Sequence, residues 1–199
     1  MRSIVNPSGY IMSGNPVVRV AQPTDAAALQ SLYRQLVDDE NVHVAAAQIQ
    51  LVSEDARTRL FVCEIDGNAE ATVHVSLCTD VMYGDQPFAV VENLVVDKAH
   101  RGKGIGQALL RQVEQFCLSR NCSKMMLFSS VIRVDAHRFF ERVGFRSDLK
   151  RGFSATDGRS HSDCRIKTPE LGGKVYRRPV GRAPQCPLSI KSKGRCGLT

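Results

Sequence analysis

No run of apolar residues in the 199-residue chain reaches the roughly 18 to 20 needed to cross a bilayer, and the N-terminus lacks the basic-then-apolar order of a secretory signal. Together these absences predict a soluble, cytoplasmic protein. The seven cysteines (Cys63, Cys78, Cys117, Cys122, Cys164, Cys186 and Cys196) include no C-x-x-C pair, and their number is odd. That argues against a disulfide framework and for reduced thiols. His161, Cys164, Cys186 and Cys196 have spacings that match no common zinc pattern, so no metal is expected. Internal repeats at solenoid periods are also lacking. Up to Arg146 there is almost no net charge, with 15 Lys and Arg against 16 Asp and Glu. The chain's +7 arises from residues 147–199, where the count is 12 against 4. A basic tail is thus the one argument for nucleic-acid binding. With Tyr176 the one aromatic near its charges, base stacking is minimal, and any such binding is expected to be weak and salt-sensitive.

The length supports one sizeable core and not two. Residues 1–16 carry turn chemistry and read as a loose leader, residues 17–153 as the domain, and residues 154–199 as a basic, disordered tail. Within the domain, 17–21 is a short β-type run. Thr24 is placed to cap a helix on which Leu29, Leu32, Tyr33 and Leu36 recur at helical spacing. A second helix is expected within 44–58. Strand-like residues 60–65 and 69–78 flank Asp66-Gly67-Asn68, a hairpin signal. Then come a β-rich run at 88–96, a helix with Ile105, Ala108, Leu109, Val113, Phe116 and Cys117 on one face, a strand-like run at 125–131, and a short helix stopped by Gly144. The pattern predicts an α/β (α+β) fold: a mixed sheet with helices on its faces.

Arg101-Gly102-Lys103-Gly104-Ile105-Gly106 follows a strand and opens a helix. Backbone N–H groups at such a junction point at an anion, and glycines allow its close approach. Arg101 and Lys103 add charge, so a diphosphate fits. The Walker pattern is absent because Gln107 follows Gly106, and the dinucleotide fingerprint fails because Leu109 stands at its third glycine position. Coenzyme A is the remaining ligand of this kind.

The run Val95-Val96-Asp97 through Arg101 to Leu110 resembles motif A of the GNAT acetyltransferases, whose pyrophosphate loop reads [RQ]-x-x-G-x-[GA]. Ala136-His137-Arg138-Phe139-Phe140-Glu141-Arg142-Val143-Gly144-Phe145 is similar to their motif B, usually A-x-x-F-Y-x-x-x-G-F. The likeness extends over residues 17–145. It implies a GNAT acyltransferase fold and direct transfer of an acetyl group from acetyl-CoA to a primary amine of a small molecule, without an acyl-enzyme. Leu94, Val95 and Val96 would present backbone groups to the pantetheine arm, and Arg101, Gly102, Lys103, Gly104, Ile105 and Gly106 would hold the pyrophosphate. Homodimers are common in such a family.

Direct transfer needs a neutral amine, an oxyanion donor and an acid for the leaving thiolate. Glu92, just before the pantetheine segment, is the candidate base; the same residue also reads as a solvated strand glutamate. His74 and His100 are further candidates. At the motif B tyrosine position stands Phe140, which has no hydroxyl. Water, Ser129 or Ser130 would have to replace it. The family's closing strand begins near Phe145 to Phe153 and then loses apolar alternation, so the last strand is expected to be incomplete. From about Ser154 the chain reads either as an unstructured basic appendage or as a stretch outside the ancestral frame. These departures support an alternative, a coenzyme-A-binding module with little turnover.

Overall fold

The computed structural model describes residues 15–152. Residues 1–14 of the leader, the basic tail, Phe153 and the set His161, Cys164, Cys186 and Cys196 lie outside the described residues.

Strand β1 (Val17–Val20) is followed by a 3-10 turn (Pro23–Asp25) and helices α1 (Ala26–Val37) and α2 (Ala46–Glu54). Thr24 does not cap α1. It is Asp25 whose carboxylate accepts the Gln22 N–H at 2.7 Å, and Arg19 donates to the same carboxylate at 2.8 and 2.9 Å. Pro23 opens a 3-10 turn whose N-cap is Gln22, and Asp25 at its third position reaches back in a capping box.

Strands β2 (Thr58–Ile65) and β3 (Asn68–Cys78) form the expected hairpin. Asp66 and Gly67 both take left-handed backbone angles, φ 51° and 83°, which match the twist of the flanking strands. Strand β4 (Phe88–Val96) leads into α3 (Ile105–Ser119), and β5 (Met125–Leu127) into α4 (Val134–Arg142). The sheet runs β1-β2-β3-β4-β5, antiparallel up to β4 and parallel between β4 and β5.

Alternation along the strands sorts the core into two layers. Phe61, Cys63, Ile65, Val73, Val75 and Val91 face α3 and its Leu109, Val113 and Phe116, with Phe139 and Phe140 of α4 packed at the margin. Leu60, Val62 and Ala69 face the other way, against Leu29 of α1 and Ile49 of α2. Burial of such side chains, at about 1.5–3 kcal/mol each, is what holds the helices on the sheet. Cys117 lies in the first layer, where burial, aided by the neighbouring Cys122, pushes its thiol pKa up to about 12. That is a packing cysteine and not a nucleophile.

β5 is shorter than the 125–131 run suggested. It pairs only with Ala89, Val90 and Val91 of β4, and the parallel ladder ends at Val91 opposite Leu127. No helix among the described residues is long and apolar enough to cross a membrane.

Candidate active site

The ladder ends there because β4 changes course two residues later. In the β3–β4 pairing, Glu92 stands opposite His74 and Val95 opposite Thr72, which leaves Asn93 and Leu94 sharing Val73. This is a β-bulge. Asn93 carries it at φ 54°, a left-handed angle that asparagine tolerates better than most residues. The extra residue inverts the side-chain parity. Before the bulge Ala89 and Val91 face α3; after it Leu94 and Val96 do.

As β4 swings away, β5 gives way to a loop, and a cleft of about 260 Å³ opens between them. Its walls include Glu92, Asn93 and Leu94 from β4, Phe128, Ser129 and Ser130 from the loop after β5, and Phe140 from α4. Leu36 and Val37, the last residues of α1, close one side. Arg133, at the start of α4, lines the cleft and donates to the Leu36 carbonyl.

The glycine loop follows directly on β4. Arg101 donates from Nε to the Val96 carbonyl at 3.1 Å, which leaves the rest of its exposed guanidinium toward solvent. Gly102 and Gly104 have φ 76° and 81°, so an L side chain at either would be strained. Gly106 needs its glycine for space: a Cβ there would meet Phe139 Cζ at 3.2 Å and a Val96 methyl at 3.7 Å. The first intrahelical bond runs from Ala108 to Gly104, at 3.0 Å. The N–H groups of Ile105, Gly106 and Gln107 therefore have no partner within the helix. A cradle of free donors, two left-handed glycines and a helix start suits an anionic diphosphate.

The residues singled out in the sequence thus fall in two adjacent places. Glu92 and Leu94 line the cleft; Val95 is buried; Val96 lies between sheet and glycine loop; Arg101 to Gly106 form that loop. Of the three candidate bases, Glu92 lines the cleft. His100 sits in the 3-10 turn Lys98–His100, its ring between Lys103 at 3.5 Å and Glu70 at 3.9 Å. His74 is shielded: its Nε2 is buried without a hydrogen-bond partner, and burial lowers the imidazole pKa against the opposing pull of Glu92.

Sequence reasoning missed Asn93, Leu36, Val37 and Arg133 as cleft residues. Asn93 offered only the faint signal of an asparagine inside an apolar run. The others are brought in by packing between distant segments.

Comparison with known proteins agrees with this geometry. The model of the acetyltransferase (GNAT) family matches residues 26–145. Aminoglycoside N(6')-acetyltransferase type 1 of Stenotrophomonas maltophilia is 29% identical over 138 residues, covering 68% of this chain and 89% of that protein. N-acetylaspartate synthetase of Homo sapiens is 43% identical, but over 51 residues that span 26% of this chain and 17% of the synthetase. Among solved structures, aminoglycoside N-acetyltransferase AAC(6')-Iy in complex with CoA superposes with a TM-score of 0.62 at 18% identity, over 71% of this chain and 95% of that one, a likeness of fold. With the mixed sheet, the splayed strands and the glycine loop in motif order, the chain belongs to the acetyltransferase (GNAT) family and is an N-acetyltransferase.

Proposed function

We propose that the protein transfers the acetyl group of acetyl-CoA to a primary amine of a small molecule by direct attack. The observation that carries this reading is the bulge at Asn93, which parts β4 from β5 and opens a cleft beside the glycine loop. In this reading the loop from Arg101 to Gly106 holds the pyrophosphate, and backbone groups of Leu94, Val95 and Val96 hold the pantetheine arm. The thioester then lies in the cleft beside Glu92. The amine nitrogen attacks the thioester carbonyl carbon, and a C–N bond forms. Its surplus proton passes to Glu92, directly or through water; the tetrahedral intermediate collapses, the C–S bond breaks, and the thiolate leaves. With Phe140 at the wall, water or the hydroxyls of Ser129 and Ser130 supply the thiolate's proton.

A small amine is supported by the relative named for aminoglycosides, which this chain matches over most of that protein's length. The free, described cysteines Cys63, Cys78, Cys117 and Cys122 are consistent with a cytoplasmic site of action. The reading takes residues 17–153 as the working domain, with residues 154–199 dispensable to it.

The test is a titration of coenzyme binding run beside thiol release from acetyl-CoA against a panel of amines. Binding with release driven by one amine class supports the enzyme reading and names the acceptor. Failure of the folded protein to bind the coenzyme would overturn it. Phe140 favours a second reading, a coenzyme-A-binding module with little turnover, which predicts binding without amine-dependent release.

A further inference from the structure

The last turn of α1 is fastened to both walls of the cleft by side chains far apart in sequence. On one side Gln35 donates from Nε2 to Asp97 Oδ2 at 2.8 Å, and its Oε1 accepts the Lys98 N–H at 3.4 Å. Asp97 is the first residue after β4. Its other carboxylate oxygen accepts the Ala99 N–H at 2.8 Å, and its own N–H donates to Glu70 at 2.9 Å. Asp97 therefore organises the turn from which the glycine loop departs. The Gln35 bond, with lesser help from Ala99, holds its carboxyl below the usual range, so the acceptor stays ionised. On the other side Arg133 donates to the Leu36 carbonyl. Between these tethers, Leu36 and Val37 face the cleft.

We infer that Gln35 is a positioning residue that ties the acceptor-facing end of α1 to the coenzyme loop, so that filling the loop orders the wall against which the amine must bind. The inference rests on the coenzyme reading of the loop. The amide is suited to this task because its two ends do different work: the donor fixes the Asp97 carboxylate, and the acceptor fixes the backbone one residue on. A charge-assisted bond of this kind is stronger than a neutral one. Gln35 is half-buried, which limits competition from water. No acceptor needs to be known for the link to operate, since the coupling runs from the loop to α1 through bonds already formed.

The experiment is amide hydrogen exchange of the full chain with and without CoA, for the wild type and for Gln35→Met, which keeps length and bulk while removing both bonds. Gln35→Glu, which sets a second carboxylate against Asp97, breaks the same link should the methionine variant fold poorly. CoA should slow exchange in the glycine loop and, by about fivefold or more, in the last turn of α1, the low end of ordinary coupling between sites. In Gln35→Met the loop should keep its CoA-dependent slowing, while that of residues 33–38 falls to within about twofold of the free protein. Equal slowing of α1 in both proteins, or none in the wild type despite a protected loop, overturns the coupling alone. If folded wild type shows no CoA-dependent change anywhere and no binding, the coenzyme reading and the inference fall together.

Discussion

His74 on β3 stands opposite Glu92 on β4, a shielded imidazole beside an exposed carboxylate at the point where the sheet opens. Desolvation lowers the imidazole pKa from its ordinary 6.5, and the attraction of Glu92 only partly opposes this. A histidine whose pKa is depressed on folding resists a proton that the unfolded chain accepts. Stability is therefore full above about 6.5, and it declines as the pH falls from there toward the lower native value, after which the decline from this group ceases. Melting temperatures at pH 7.5 and 5.5 should differ less in His74→Leu than in the wild type, and equal differences would contradict this account.

Glu92→Gln tests the proposed base. The amide keeps the shape of the cleft wall but cannot take a proton, so kcat should fall by about 10²-fold or more while coenzyme affinity holds within about twofold. Undiminished turnover in a folded Glu92→Gln protein that still binds the coenzyme would assign the base elsewhere.

Two glycines in the loop proposed to hold the coenzyme fail for different reasons when given a methyl group. Gly104→Ala forces an L residue to φ 81°, at a cost of about 1–2 kcal/mol in stability. In Gly106→Ala the backbone is unstrained, and the new methyl instead meets Phe139 at 3.2 Å, so the ring has to shift by a few tenths of an ångström. Denaturant titrations should show the larger loss for Gly104→Ala, and coenzyme titrations should show weaker binding for both. A Gly106→Ala protein as unstable as Gly104→Ala would mean that Phe139 cannot yield.

Phe140→Tyr adds a hydroxyl at a cleft-lining ring that packs with Phe139 and Phe145. Coenzyme binding should persist and turnover should rise, as measured by thiol release with the best amine of a panel. A well-folded variant that no longer binds acetyl-CoA would refute the placement of this residue beside the thioester.

Much of this was legible from residue order. The hairpin announced itself in Asp66-Gly67 because few residues accept two successive left-handed conformations. The glycine loop was readable because its glycines and charges lie within six consecutive positions, Arg101 to Gly106. Helix faces followed from spacing alone. By contrast, Thr24 looked like a cap and is none, because the chain enters through the 3-10 turn Pro23–Asp25, where Gln22 is the N-cap and the Asp25 carboxylate reaches back to its N–H. β5 looked seven residues long, from 125 to 131, and its ladder stops at Leu127.

Sequence by itself determined the order of strands and helices, the two-faced core and the chemistry of the glycine loop, since each depends on conformational preferences and periodicities expressed over a few neighbouring residues. Tertiary structure decided the site. The bulge at Asn93 exists only relative to β3, where one residue must face two, and with the loop after β5 it leaves Glu92 and Leu94 as walls of a cleft. Gln35 meets Asp97 across 62 positions of chain and Arg133 meets Leu36 across 97. Bonds of that range form once the layers have packed, because only packing brings donor and acceptor within reach.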